Sequence, residues 1–131
     1  MKRMVVLCLL LPILTACCSP AAGEAQVQLC LDFLASYGIA VDPHPIEETV
    51  LQLPDSPTPV YEQYQALLEK DGFTLSPYWG KQVTRLTFSV INYPHREDVR
   101  ANCLLYGANF IGGDISTVAL DGFMESFSDF P

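Results

Sequence analysis

Basic residues are scarce in this chain. Seven Lys and Arg face fifteen Asp and Glu, giving a net charge of −8. A nucleic-acid binder carries a basic face, and a polybasic membrane patch needs clustered Lys and Arg. Neither is present. Histidine is also rare, with two in the chain. No Cys-x-x-Cys or His-x-x-x-His spacing accompanies them, so the ligand set of a zinc site is missing. The glycine-lysine pattern of a phosphate loop is absent too. No internal repeat occurs, and no cofactor or metal is expected. The longest apolar run, Met4 to Leu14, has eleven residues and contains Pro12. A spanning helix needs about 20 apolar residues, so this run is too short.

That run matters for what flanks it. Lys2 and Arg3 precede it, and Leu14-Thr15-Ala16-Cys17 follow. A charged start, an apolar stretch of roughly 7–15 residues and small residues at a cleavage point define a signal peptide. The Leu-Thr-Ala-Cys order fits the lipobox of a bacterial lipoprotein. The expected organisation is a signal peptide over 1–16, a lipidated Cys17 with a flexible tether over 17–25, and one domain over 26–131. Stable anchoring takes about two acyl chains at about 0.8 kcal/mol per buried methylene, which a diacylglyceryl thioether on Cys17 supplies. The expected location is the outer face of the cell membrane. The expected partners are the membrane, through lipid on Cys17, and an unidentified protein or envelope ligand, with no nucleic acid.

Losing Lys2 and Arg3 with the leader leaves five basic against fifteen acidic residues, a net of −10. The acidity is spread without a run of like charge, as on a surface kept soluble by repulsion. Five cysteines occur. Cys8 leaves with the leader and Cys17 carries lipid, so Cys18, Cys30 and Cys103 remain. Cys30 and Cys103 fall on inward faces of a helix and a strand. They form a candidate disulfide or a pair of free core thiols; spacing alone does not decide.

Helical spacing runs from Glu24 to Tyr37, with Val27, Cys30, Leu31, Leu34 and Tyr37 on one face and Gly38 as the stop. Asp42-Pro43-His44-Pro45 is a turn, and Ile46 to Leu53 alternates as a strand. Thr58-Pro59 reads as an N-cap with proline at the first helical position, opening a helix over Pro59 to Lys70 that ends at Gly72. Lys81 to Tyr93 alternates strictly. Val99 to Tyr106 and Asn109 to Val118 form two more strands around a turn at Gly107-Ala108-Asn109. Gly112-Gly113 predicts a bulge or bend, and Leu120 to Pro131 packs or frays. The predicted fold class is α+β, with two helices packed on one face of an antiparallel sheet of about four strands.

Several segments act together as a pattern. They are Phe33-Leu34-Ala35-Ser36-Tyr37-Gly38, Asp71-Gly72-Phe73-Thr74-Leu75-Ser76-Pro77-Tyr78 with Gly80-Lys81, Val90-Ile91-Asn92-Tyr93-Pro94, Val99-Arg100-Ala101-Asn102, Ile111-Gly112-Gly113-Asp114 and Asp121-Gly122-Phe123-Met124. The set resembles a family of uncharacterised exported Firmicutes proteins, the domain of unknown function numbered 4830. The resemblance implies a cell-envelope setting and one compact domain, and it implies no activity.

Three places carry candidate chemistry. Tyr78 and Trp79, on a turn between Pro77 and Gly80, form either a gripping surface or an aromatic cap on the sheet edge. His95 and Arg96 belong to a polar loop that either binds a partner or is solvated with weak local ion pairs. Asp114 follows two glycines, but a calcium loop needs several carboxylates at alternate positions. A cysteine nucleophile needs an electropositive, partly exposed setting, which neither Cys30 nor Cys103 has in sequence. No catalytic residue is assigned. The expected function is a non-enzymatic binding or interaction domain. A small extracytoplasmic hydrolase acting on envelope material and a structural or inhibitory module remain as alternatives.

Overall fold

The computed structural model describes residues 23–131. The leader, the lipobox, Cys17 and Cys18 lie outside the described residues. Helix α1 spans Gly23–Ser36 and so begins within the stretch expected as tether. Its buried residues Gln26, Cys30 and Leu34 recur every four positions and define one inward stripe. The stop falls where expected. Gly38 has φ 75, and the Ile39 amide donates to the Leu34 carbonyl at 3.1 Å, closing a Schellman cap. Helix α2 spans Pro59–Glu69, opened by the Thr58 side chain accepting from the Tyr61 amide.

Five strands follow one another across a single antiparallel sheet in the order β1 to β5. They are β1 Glu47–Gln52, β2 Gln82–Ser89, β3 Val99–Tyr106, β4 Asn109–Thr117 and β5 Met124–Glu125. The α+β class is the expected one. The strand count exceeds the expected four because Met124 pairs with Ser116 and Glu125 with Ile115. The tail therefore packs. Asp71 accepts from the backbone amides of Phe127 (2.8 Å) and Ser128 (3.1 Å), which fixes the fully buried Phe127 ring.

The helices do not share a face, which corrects the expected arrangement. Leu86, Phe88, Ala101, Cys103, Leu105 and Ile115 point to one side of the sheet, where Cys30 and Leu34 of α1 join them in one apolar cluster. Gln26 ties α1 to the β3–β4 turn by donating to the Gly107 carbonyl. Val83, Leu104 and Ile111 point the other way and cluster with Leu68 of α2. Strand residues alternate sides, so apolar residues on both sides call for a cover on both.

The Gly112-Gly113 pair explains how both covers approach closely. The β3–β4 register shifts between Leu104 and Leu105, which is the expected irregularity. A Cβ on Gly112 would sit 3.0 Å from Leu68 of α2, and one on Gly113 would sit 2.6 Å from Phe127 on the opposite face. Two adjacent glycines let α2 and the tail close on the same strand from opposite sides.

Candidate functional site

Helix α2 covers only part of its face. The uncovered part of the sheet is polar, and a cavity of about 740 Å³ lies between it and the helix. Ligand pockets run from about 300 to 1,000 Å³. The floor follows from strand register. Glu47, Thr87, Asn102 and Asp114 are successive partners across β1, β2, β3 and β4. Arg85, Arg100 and Ser116 point to the same side and also line the cavity. Leu51, Val60, Tyr64, Leu67, Val118 and Met124 supply an apolar wall and rim.

The floor is knitted by side-chain hydrogen bonds. The Thr87 hydroxyl donates to Asn102 Oδ1 at 2.8 Å. Asn102 Nδ2 donates to Asp114 Oδ2 and to Ser116 Oγ, each at 3.0 Å. From α2, the Tyr64 hydroxyl donates to Asp114 Oδ1 at 2.7 Å. Asp114 is 3% exposed with both oxygens engaged. Burial raises its pKa above the ordinary carboxylate value, although hydrogen bonds from Tyr64 and Asn102 and the Arg85 charge pull the other way. Burial first, then the Asp114 charge, lifts the Tyr64 phenol well above its usual value.

The arginines are less well satisfied. Arg85 Nε is shut off from solvent with no hydrogen-bond partner. Its nearest ion-pair contact, Nη2 to Glu47 Oε1, is 3.7 Å, beyond a hydrogen bond. Arg100 Nη1 reaches the Val99 carbonyl at 3.1 Å and Ser89 Oγ at 3.4 Å.

The residues singled out in sequence do not converge. Asp114 lines this cavity. His95 and Arg96 line a separate hollow in the β2–β3 loop. There Arg96 grips Asp98 through two bonds of 2.8 and 2.6 Å and stacks its guanidinium 5.3 Å from the Phe123 ring centre. Tyr78 and Trp79 line neither. Tyr78 packs on Tyr106 at 5.3 Å and Trp79 meets Tyr61 edge-on at 6.0 Å, both half-buried against the α2-side cluster.

Cys30 and Cys103 are fully buried in one cluster and free of a bridge. Burial, reinforced by the adjacent Cys30, pushes the Cys103 thiol well above its ordinary value, so it stays protonated. Cys103 and Asp114 belong to opposite faces of the sheet, and His95 lines another hollow. Thiol, imidazole and carboxylate therefore share no site. Among the described residues no group of three His, Cys, Asp or Glu side chains is placed to hold a metal. Among them also, no helix is long and apolar enough to cross a membrane.

Sequence reasoning missed Tyr64, Arg85, Thr87, Arg100 and Asn102. Tyr64 reads as one of the apolar stripe of its helix and the others as ordinary residues of their strands, and only cross-strand register and the packing of α2 join them. These features define a small α+β domain with one helix-roofed, polar-floored cavity. No family model, no curated protein and no solved structure matches the chain.

Proposed function

We propose that this protein is a cell-envelope lipoprotein whose domain is a non-enzymatic binding module, held at the outer face of the membrane by lipid on Cys17. The resemblance to the exported Firmicutes family belongs to the same reading and brings no activity with it. The observation that carries the binding reading is the cavity beneath α2. Thr87, Asn102, Asp114 and Ser116 hold one another in place on its floor, and a fixed polar floor with apolar walls is what orients a bound molecule. A face meant only for burial would gain more from aliphatic residues, because a buried polar group needs a partner for every donor.

The anchor is tested by fractionation. Wild-type protein is expected in the membrane pellet after a carbonate wash, and Cys17→Ala in the soluble fraction or the medium. Retention of Cys17→Ala in washed membranes contradicts anchoring through that thiol.

A further inference from the structure

Asp114 sits beside Arg85 but makes no hydrogen bond to it, its oxygens accepting from Tyr64 and Asn102. Glu47 accepts from the Thr49 hydroxyl at 2.9 Å and stays 3.7 Å from the guanidinium. While the rest of the Arg85 side chain, 35% exposed, lines the cavity, its Nε is a closed-off donor with no acceptor. Such a donor is costly to leave unmade. Arg100, on the neighbouring strand, lines the same space and brings a second positive charge.

The other walls state what accompanies the acceptor. Val60, Val118 and Met124 are 74%, 66% and 54% exposed, and all three line the cavity with the half-buried Leu67. They lie on the first turn of α2, just past β4, and on β5. Three elements therefore turn aliphatic side chains toward one opening. An inorganic anion would leave these groups in water, and a purely apolar molecule would leave Arg85 unpaired.

We propose that this cavity takes a small monocarboxylate with a short aliphatic body, its carboxylate on the Arg85 guanidinium and its chain against Val60, Leu67, Val118 and Met124. The planar guanidinium matches a carboxylate in geometry, and charge-assisted hydrogen bonds are the strong ones. Arg100 adds attraction from the flank. Asp114 does not contact the ligand; it holds Asn102 and Tyr64, and so the floor, in position. The proposal rests on the binding-module reading and names its ligand class.

The test is amide NMR of the full chain, released from membranes in a mild detergent and titrated with isocaproate. Acetate, isocaproamide and isoamylamine serve as probes lacking the chain, the charge or its sign. Isocaproate is expected to give saturable shifts at Arg85, Asn102 and Leu67. Acetate and isocaproamide are expected to bind at least about ten-fold more weakly, in line with loss of an apolar contact or a charged hydrogen bond. Isoamylamine is expected to give no saturable shift. Arg85→Gln is expected to weaken isocaproate about ten-fold or more, and Arg100→Gln, on the flank of the site, several-fold. Each variant is compared with wild type by the dispersion of its amide spectrum. Should Arg85→Gln lose that dispersion, Arg100→Gln carries the test. Equal affinity for isocaproamide, or unchanged affinity in both arginine variants, overturns the carboxylate assignment and leaves a binding cavity standing. No saturable shift at these residues with any probe overturns the cavity as a ligand site.

Discussion

Gly113→Ala is expected to destabilise the fold by about 3 kcal/mol or more, the range reached when a packed site is overfilled and backbone must move. Gly113 lies on β4 opposite Cys103 of β3. An added Cβ would meet the Asn102 carbonyl oxygen at 2.1 Å and Phe127 Cζ at 2.6 Å. The first contact is backbone of the paired strand, so relief requires the central hairpin to part. The second is the buried ring that seats the tail. Gly38→Ala is the comparison. Its Cβ would have nothing within 4 Å, and only the left-handed φ of 75 opposes it, a cost of about 1–2 kcal/mol. Urea unfolding of both variants measures the difference. A Gly113→Ala protein within about 1 kcal/mol of wild type contradicts the close packing of tail and hairpin.

Asp114→Ala is expected to cost about 3 kcal/mol, because it strands the inward-pointing Tyr64 hydroxyl and removes one of the two acceptors of the Asn102 amide. Asp114→Asn keeps the volume, removes the titratable charge and exchanges one accepting oxygen for an amide donor, whose effect does not vary with pH. The sign of its pH dependence follows from the raised carboxyl. A group whose folded pKa exceeds its unfolded value favours folding when protonated, and that contribution is lost as pH rises through the folded pKa. Wild type should therefore lose stability relative to Asp114→Asn between the ordinary carboxylate pKa and the raised one. Asp42, Asp98 and Asp129 are lowered, chiefly by hydrogen bonds to His44, Arg96 and Ser126. They act in the opposite sense, but equally in both proteins, and cancel in the comparison. Unfolding midpoints across that interval give the answer. A gap that widens in favour of wild type as pH rises contradicts a buried, desolvated Asp114.

Much of the fold is written locally. Thr58-Pro59 opens α2, Gly38 and Gly72 sit just past the two helices, and the alternation from Val83 to Phe88 marks β2 without ambiguity. The side on which each helix packs is not local. Val83, Leu104 and Ile111 are three apolar positions among Arg85, Thr87, Arg100, Asn102 and Ser116. Along any one strand that face reads as solvent-exposed. Only in register does the apolar part gather under Leu68, leaving the polar part as a floor. The fifth strand is two residues long, too short for a periodic signal.

Legibility of the site follows the same rule. Asp114 is conspicuous beside two glycines, whereas its partners Tyr64 and Asn102, and Thr87 that donates to Asn102, lie 50, 12 and 27 positions away along the chain. A partial signal did exist. The turn at residues 107–109 sets β3 against β4, and the one-residue register shift between Leu104 and Leu105, at the glycine pair, brings Asn102 and Asp114 opposite one another. An amide facing a carboxylate inside a hairpin already points to a wired polar face. Tyr78 and Trp79 drew notice for their chemistry, but aromatics beside a proline turn also close off a sheet end, and they pack there on Tyr106 and Tyr61.

If the polar floor serves a ligand, then Arg85 burdens the empty fold. Arg85→Met keeps an unbranched stem of four atoms and removes a shielded donor that has no acceptor. Urea unfolding without ligand is the direct measurement. The variant is expected to be more stable than wild type by about 1 kcal/mol, as when an unmet buried donor is replaced by an apolar group of similar shape. A loss of more than about 1 kcal/mol would show that Arg85 holds the sheet together, and would contradict a cavity built for binding.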